Sequence, residues 1–207
     1  MSQLICSDLG YKIGEKYIFK NINFVFEENK VNAITGISGS GKSSLLNILG
    51  LVTDPTFGKI YLDDELVSGW NERKRIEYWK TRASFIFQDY GVIDEESVGY
   101  NVSLKSGISL NEKNEIEQIL NHVGLSNRFN EKAAVLSGGE KQRLGVARAI
   151  YKKSDIILAD EPTASLDQDN RKKVVNLLRE QANQGATVIL ATHDEELIKE
   201  CDKICKL

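Results

Sequence analysis

The pattern of apolar and polar positions divides this chain into short strands and longer helices. Ile156–Ala159 is apolar at every position, which is typical of a parallel strand covered on both faces. Thr187–Thr192 is the next buried strand, and Asp169–Asn183 between them carries its apolar residues at helical spacing. Residues 156–192 are therefore predicted to form a strand–helix–strand unit with a right-handed crossover.

Other segments carry the same two patterns. The further predicted strands are Tyr17–Phe19, Ile22–Phe26, Val31–Thr35, Lys59–Leu62 with Leu66–Val67, and Ala83–Phe87. The further predicted helices are Ser43–Leu49, Glu72–Thr81, Glu112–Val123 and a segment that runs through Ala147–Tyr151. We expect the strands outside the apolar core to form a small antiparallel layer, and residues 89–135 to form a separate helical lobe.

Composition limits the class of protein. The chain has 207 residues, of which 41% are apolar and 28% charged, as is ordinary for a globular domain, and no apolar run is long enough to span a membrane. The first eight residues lack the pattern of a signal peptide, and three sparse cysteines fit a reducing compartment, so we expect a cytoplasmic protein. A net charge of −3 argues against nucleic acid as a partner.

Gly36–Ser43 matches the phosphate-binding pattern G-x-x-x-x-G-K-[ST]. Its glycines let backbone N–H groups point at phosphate oxygens, Lys42 supplies a positive charge, and the Ser43 hydroxyl is placed to bind Mg²⁺. The strand Val31–Thr35 precedes the pattern, and the helix that follows is predicted to stop at Gly50 as its C-terminal glycine. The alternative is a flexible Gly/Ser-rich loop with a solvated lysine.

Leu136–Glu140 introduces a predicted helix and contains two adjacent glycines. Ser137 and Glu140 have the spacing of a capping box, in which each side chain accepts from the other residue's backbone N–H. Gly138 and Gly139 in a first helical turn cost stability unless a ligand must approach the backbone closely, and a phosphate would be such a ligand. The residues alone leave both interpretations open.

Chemically useful side chains follow several predicted strands. Asp160 with Glu161, Gln88 and His193 each come directly after one. Open α/β sheets bind ligands at the carboxyl ends of their strands, so these residues and the phosphate-binding loop are predicted to meet at one edge. Taken alone, the two acids also fit a solvated strand end, His193 also fits a helix cap, and Gln88 carries no signal.

These motifs, in this order, resemble the nucleotide-binding subunit of ABC transporters over nearly the whole chain. The matching landmarks are the Walker A loop Gly36–Ser43, the Q-loop residue Gln88, the signature Leu136–Glu140, the Walker B strand Ile156–Asp160 followed by Glu161, the D-loop Ser165–Asp167 and the switch histidine His193. The resemblance implies an α/β P-loop NTPase, with a RecA-like core, an antiparallel β layer and an inserted helical subdomain. Residues 1–207 would be one domain, with the β layer and core in 1–88 and 155–207 and the helical subdomain in 89–154.

The resemblance also implies an ATPase that binds ATP and Mg²⁺ and forms a head-to-tail homodimer on ATP binding. The residues implied to contact ATP are Gly36, Ser38, Gly39, Ser40, Gly41, Lys42, Ser43 and Ser44 of one subunit and Ser137, Gly138 and Gly139 of the other. An aromatic residue of the β layer stacks on adenine in this family. Both Tyr11 and Tyr17 fit that role here, and we favour Tyr11.

The same resemblance assigns roles in hydrolysis. The implied Mg²⁺ ligands, direct or through water, are Ser43, Gln88 and Asp160. The implied catalytic residues are Lys42, Gln88, Glu161 and His193. Among these, Glu161 polarises the attacking water as general base, and His193 contacts the γ-phosphate.

Residues 45–51 and 85–91 resemble the branch that contains macrolide export, lipoprotein release, and bacteriocin or antimicrobial-peptide export. This implies a separate transmembrane permease, with the chain peripheral on the cytoplasmic face of the cell membrane. We expect Gln88 and Asp89–Asn101 to form the docking surface, and the short sequence after His193 predicts no C-terminal regulatory domain. The alternatives are a soluble ABC ATPase without a transport role and a small-molecule P-loop phosphotransferase.

Overall fold

The computed structural model describes residues 3–164 and 166–207. The strands are β1 (Leu4–Ile13), β2 (Lys16–Phe26), β3 (Val31–Thr35), β4 (Phe57–Leu62), β5 (Glu65–Leu66), β6 (Ala83–Ile86), β7 (Ile156–Asp160), β8 (Thr187–Ala191) and β9 (Lys203–Lys206). The helices are α1 (Lys42–Leu49), α2 (Glu72–Thr81), α3 (Val98–Ser103), α4 (Leu110–His122), α5 (Gly138–Lys152), α6 (Gln168–Asn183) and α7 (Glu195–Lys199). Within these residues, none of the helices has the length and apolar character that crossing a bilayer requires.

Five parallel strands form the central sheet in the order β6-β7-β8-β3-β9. The neighbours β7 and β8 are joined by α6, which confirms the predicted strand–helix–strand unit. Ala191 pairs with Asp160 on one side and with Ile34 on the other, so the carboxyl ends of β3, β7 and β8 are level. The phosphate-binding loop, Asp160 and His193 therefore leave the sheet at one edge, as predicted.

A second, antiparallel sheet has the order β2-β1-β4-β5 and confirms the expected β layer. One buried cluster joins Leu4 and Ile60 of this sheet, Leu45 and Leu49 of α1, and Leu158 of β7. Because α1 contributes to the cluster from between the two sheets, its position is fixed by apolar packing on both sides.

Two strands of this sheet differ from the sequence prediction. Strand β1 was not predicted, and β2 was predicted as two separate short strands. Asp8 (φ 48°) and Asn21 (φ 55°) adopt left-handed conformations inside these strands. The pairing of β1 with both neighbours shifts around Asp8. At each irregularity the buried side chains change from odd-numbered to even-numbered positions or the reverse. The regular alternation of buried and exposed residues, on which strand prediction relies, is therefore lost.

The helical subdomain packs on the central sheet through α5. One buried cluster contains Val98 and Val102 of α3, Ile116 of α4, Leu144 of α5 and Ile157 of β7. Side chains of residues 89–135 thus share the core of the sheet. The predicted lobe is helical. Its described buried side chains nevertheless belong to the same core as β7, because α5 lies between the helices α3 and α4 and the central sheet.

Gly50 follows α1, but it does not have the left-handed conformation that a glycine after a helix usually adopts. Its φ is −78°, and the next residue, Leu51, has φ 58°. A Cβ on Gly50 would lie 2.1 Å from the Phe85 ring and 2.9 Å from Leu158. Its carbonyl accepts a hydrogen bond of 2.7 Å from the Trp79 indole. The glycine is therefore required by close packing and not by backbone conformation.

Candidate functional site

The phosphate-binding loop lies between β3 and α1, and its glycines are needed where they stand. Gly39 (φ 79°) and Gly41 (φ 98°) are left-handed, a conformation that other residues adopt at a cost. A Cβ on Gly36 would lie 2.5 Å from the Ser40 hydroxyl, and one on Gly41 would lie 2.4 Å from Ile18. The sequence interpretation of a tightly turned loop, rather than a flexible one, agrees with this geometry.

Lys42 is enclosed by the loop that precedes it. Lys42 is only 8% exposed, and its Nζ donates to the carbonyls of Gly36 (3.0 Å) and Ile37 (3.2 Å). The Ser40 hydroxyl is buried and has no hydrogen-bond partner among the residues described. An ammonium group and an unsatisfied hydroxyl at a helix N-terminus form a site suited to an anion. The other predicted loop contacts, Ser38, Ser43 and Ser44, lie in the same loop and the first turn of α1.

Asp160 is the residue best suited to hold a metal ion. Burial raises the pKa of its carboxyl group, and Glu161 adds to the rise, whereas a hydrogen bond from Ser43 and the charge of Lys42 oppose it. Asp160 Oδ1 is buried with no hydrogen-bond partner among the described residues. A buried carboxylate oxygen beside a serine hydroxyl is the oxygen donor set that Mg²⁺ prefers, so the residues present fit the predicted ion. Gln88, the third predicted ligand, is exposed in the loop after β6, and its role as a ligand stays a prediction.

Glu161 and His193, predicted to act in one site, are in direct contact. His193 Nδ1 lies 2.6 Å from Glu161 Oε1, and the Thr192 hydroxyl donates to Oε2 at 3.0 Å. The Glu161 backbone is left-handed (φ 44°), and its N–H donates to the Ala191 carbonyl at 2.8 Å. The structure thus places His193 on the carboxylate, while its predicted contact with a γ-phosphate stays a prediction. Sequence reasoning missed Thr192, for which the only signal is a polar residue at the end of an apolar strand.

The signature segment forms the predicted capping box. Ser137 Oγ accepts from the Glu140 N–H (3.4 Å), and Glu140 Oε2 accepts from the Ser137 N–H (2.8 Å). The two glycines are closely approached by the chain itself. A Cβ on Gly138 would lie 2.5 Å from the Tyr90 hydroxyl, and one on Gly139 would lie 2.7 Å from Asn170. Packing against Asn170 is therefore sufficient to favour glycine at 139, whereas Gly138 meets only the end of the Tyr90 side chain, and contact with ATP of a second subunit stays a prediction.

A buried arginine connects the signature helix to the start of α6. Arg143 Nε donates to the Val123 carbonyl (2.8 Å), and Nη1 donates to the Gly139 carbonyl (3.3 Å) and to Asn170 Oδ1. Asn170 Nδ2 in turn donates to Asp167 Oδ2 at 2.6 Å, and Asp167 caps α6. The D-loop is thereby joined to the signature segment. Ser165, the first D-loop residue, lies outside the described residues.

The two candidate adenine contacts differ in their surroundings. Tyr11 is half-buried and packs on Phe19, with ring centroids 6.1 Å apart. Phe19 lies beside the loop, where a Cβ on Gly41 would be 3.1 Å from it. Tyr17 is exposed, and Lys20 Nζ lies 3.7 Å from its ring centroid. Tyr11 is thus the one connected by packing to the phosphate-binding loop, and its contact with adenine stays a prediction.

A groove of about 680 Å³ opens between β6 and the helical subdomain. Its aromatic and aliphatic lining includes Trp79, Phe85, Phe87, Val102 and Leu104. Its charged lining consists of Lys80, Lys105, Arg148, Lys152 and Lys153 with Glu112 and Glu115. Cations outnumber carboxylates, so the groove suits an amphipathic segment with acidic side chains.

The loop predicted to dock on a permease borders this groove and has a fixed shape. Asn101 is buried, and its Nδ2 donates to the carbonyls of Ile93 (3.0 Å) and Ser97 (3.0 Å). Arg148 donates to the carbonyls of Gly91 (3.1 Å) and Asn101 (2.9 Å). The loop presents the exposed side chain of Ile93 on a framework anchored to α5.

Comparison with known proteins gives consistent matches. Residues 19–164 match the protein family described as ABC transporter. The chain is 36% identical over 195 residues to the lipoprotein-releasing system ATP-binding protein LolD 1 of Caulobacter vibrioides, covering 91% of this chain and 83% of that protein. It is 38% identical over 192 residues to an uncharacterized ABC transporter ATP-binding protein of Methanocaldococcus jannaschii, covering 91% and 86%.

Two further similarities extend this result. The macrolide export ATP-binding/permease protein MacB of Campylobacter jejuni is 35% identical over 199 residues, which are 94% of this chain and 31% of that protein. A solved structure described as the dimeric post-hydrolysis state of an ATP-binding cassette bound to ADP and Pi superposes with a TM-score of 0.86. That alignment is 32% identical and covers 99% of this chain and 94% of the other.

Proposed function

Since this chain belongs to the ABC transporter family and has the ATPase cassette fold, we propose that it is the ATP-hydrolysing subunit that energises a separate membrane permease. The observation that carries the proposal is the convergence of Lys42, Ser43, Asp160 and Glu161 at one edge of the central sheet. These four residues supply the charge, the metal ligands and the base that phosphoryl transfer to water requires.

Glu161 is the proposed general base. Its side chain is 12% exposed, so it is partly shielded from solvent, and its two oxygens are held by His193 and Thr192. One oxygen accepts a proton from the attacking water while the water oxygen bonds to the γ-phosphorus atom, and the bond from that atom to the β–γ bridging oxygen breaks, so that ADP leaves with the bonding electron pair. His193, whose side chain is 67% exposed, has room to turn from the carboxylate to a phosphate oxygen. The base is therefore positioned by the protein before the reaction begins.

Lys42 and the N–H groups of the loop bind the phosphates and neutralise their charge. Ser43 and Asp160 would hold Mg²⁺, which supplies positive charge to the phosphate oxygens that gain charge in the transition state. The unsatisfied Asp160 Oδ1 supports this assignment. Tyr11 is the proposed contact for adenine.

Dimerisation completes the proposed site. Gly138 and Gly139 begin α5 directly after its cap Ser137, so their N–H groups form the proposed second anion site, with Ser137 as the adjoining contact. In a head-to-tail pair this site faces the ATP of the other subunit. The similarity to a dimeric cassette bound to ADP and Pi supports this arrangement.

The permease is proposed to dock in the groove beside β6, with Gln88 and the loop of residues 89–101 as its rim. This places the chain on the cytoplasmic face of the membrane. The proposed cargo is a peptide, an antibiotic or a lipoprotein-like substrate that is exported or extracted. The names of the similar proteins LolD 1 (lipoprotein release) and MacB (macrolide export) support the last two of these classes.

The test of the ATPase assignment is a comparison of Glu161→Gln with Glu195→Gln. The first removes the proposed base, and the second removes an exposed carboxylate on the neighbouring helix α7. Glu161→Gln should bind ATP, lose steady-state hydrolysis, and shift from monomer to dimer in sedimentation when Mg-ATP is added. Glu195→Gln should hydrolyse ATP at the unmodified rate. Undiminished turnover by Glu161→Gln, with a monomer in both conditions, would remove Glu161 as the base and contradict the proposal.

The docking surface is tested by exposed apolar residues. Ile93→Ser alters an exposed apolar side chain of the proposed docking loop, and Ile13→Ser makes the same change at an exposed position of β1. Ile93→Ser should retain ATPase activity of the isolated subunit and lose transport with the permease, whereas Ile13→Ser should retain both. Normal permease binding and transport by Ile93→Ser and by Phe87→Ser would show that the permease docks elsewhere.

A further inference from the structure

The Glu161 carboxylate is held on both oxygens by adjacent residues at the end of β8. The Thr192 hydroxyl donates to Oε2 (3.0 Å), and His193 Nδ1 lies 2.6 Å from Oε1. The two partners differ in how firmly they are fixed. Thr192 is completely buried, whereas the His193 side chain is 67% exposed. The contact from Thr192 is therefore the one that solvent and side-chain motion disturb least.

Thr192 is anchored to the strand that carries the phosphate-binding loop. Its N–H donates to the Ile34 carbonyl (3.0 Å), two residues before Gly36. Its hydroxyl also accepts from the Asp194 N–H (3.1 Å), which fixes the direction of its single donor hydrogen toward Glu161. A β-branched side chain has few χ1 rotamers, so backbone anchoring also fixes the hydroxyl. The position of the oxygen is thus defined relative to the loop.

The same hydroxyl is connected to α6. Asp194, whose N–H binds Thr192, accepts from Arg171 Nη2 at 3.0 Å through its side chain. Arg171 lies in the first turns of α6, where its N–H donates to the Asp167 carbonyl of the D-loop. A continuous set of hydrogen bonds therefore leads from the D-loop to Glu161.

We propose that Thr192 is a positioning residue that directs the Glu161 carboxylate toward the attacking water. The inference rests on the proposed role of Glu161 as general base. When His193 turns to a phosphate oxygen, it no longer holds Oε1, and Thr192 remains as the donor that orients the carboxylate. Without this hydroxyl, only the left-handed Glu161 backbone would constrain the carboxylate. The Glu161 side chain has three rotatable bonds, so the backbone alone would not fix its direction.

The test compares Thr192→Val, which keeps the shape and loses the hydroxyl, with Thr192→Ser, which keeps the hydroxyl. Thr192→Val should lower kcat for ATP about 10- to 100-fold, as expected for a lost hydrogen bond to a charged group, with KM changed by less than about twofold. Thr192→Ser should restore kcat to within about threefold of the unmodified protein. If Thr192→Val does not fold, Thr192→Cys keeps a similar volume with only a weak donor, and it should show the same loss.

A second measurement separates positioning from loss of structure. In a Glu161→Gln background, adding Thr192→Val should not reduce the residual single-turnover rate further, and ATP should still induce the dimer, because residues that act as one unit are not additive. Multiplied losses in the double variant, or an unchanged kcat in Thr192→Val, would overturn the inference while leaving Glu161 as the base. Full turnover by Glu161→Gln would instead overturn the base assignment, and the inference with it.

Discussion

Replacing the buried arginine of α5 tests how the signature helix is held. Arg143 is 6% exposed and donates to the carbonyls of Val123 and Gly139 and to the Asn170 side chain. Arg143→Met keeps much of the apolar stem and removes every donor, so acceptors on α5, on α6 and at the end of α4 lose a partner. Burial lowers the pKa of Arg143, which means that its charge is held at a desolvation cost that methionine avoids.

The expected loss follows from these opposing effects. The three hydrogen bonds to a charged group contribute about 1.5 kcal/mol each, and avoided desolvation offsets part of that sum, which leaves a destabilisation of about 3 kcal/mol. In a domain of this size, 1 kcal/mol lowers Tm by about 2–4 °C, so Tm should fall by about 6–12 °C. ATPase activity per folded molecule should also fall, because the signature segment and the D-loop are no longer held together.

Arg128→Met is the matched control. Arg128 also contacts the signature, through Glu140 (3.3 Å), and it binds Glu131 (2.6 Å), but these ion pairs are at the surface. Exposed pairs contribute about 0.5 kcal/mol each, so the two together amount to about 1 kcal/mol, and Tm should fall by about 2–4 °C. Both variants are measured by calorimetry and by chemical denaturation at one pH. A Tm for Arg143→Met equal to that of Arg128→Met would refute the claim that the buried contacts stabilise this junction.

Three further changes test the core, the groove and the adenine contact. Gly50→Ala should destabilise the protein by about 1–3 kcal/mol in chemical denaturation, because the added Cβ would meet the Phe85 ring, and a neutral result would contradict the packing argument. Burial lowers the pKa of Lys152 to about 8, below its unfolded value of 10.5, so the unfolded chain holds this proton more tightly between those values. The free energy of unfolding of the unmodified protein, relative to that of Lys152→Met, should therefore rise between about pH 8 and about pH 10. The slope should be less than the ~1.4 kcal/mol per pH unit expected for a fully buried group. A difference that stays constant with pH would contradict this prediction. Tyr11→Leu should weaken ATP binding about tenfold in a titration with a fluorescent nucleotide, whereas an equal effect of Tyr17→Leu would contradict the choice between them.

Elements defined by local pattern could be predicted from the sequence. Helix α2 has the predicted bounds Glu72–Thr81, since Asn71 caps it and its charged residues favour a solvated helix. The sequence pattern did not predict helix α3 or strand β9, because both are short and depend on partners that are distant in the sequence. Strand β9 pairs with β3, which lies far away in the sequence, and nothing local in Lys203–Lys206 signals that pairing.

The site divides in the same way. Lys42 could be predicted because it belongs to a motif that local chemistry explains, whereas the roles of Asp160 and Glu161 followed from the resemblance to the family. The contact of Thr192 with Glu161 spans 31 residues, and that of Arg143 with Asn170 spans 27. Such contacts depend on how strands and helices are placed in three dimensions, and no spacing within the sequence encodes them. The residues proposed to bind substrate were thus easier to find in the sequence than those that hold them in place.

The position of the indole rings has a spectroscopic consequence. The chain has two tryptophans, and both lie at α2 or just before it. The Trp79 indole donates to the Gly50 carbonyl, and its ring lines the groove beside β6. Trp70→Phe would leave Trp79 as the single emitter. Its emission would then test, without an attached dye, whether the proposed permease segment occupies the groove.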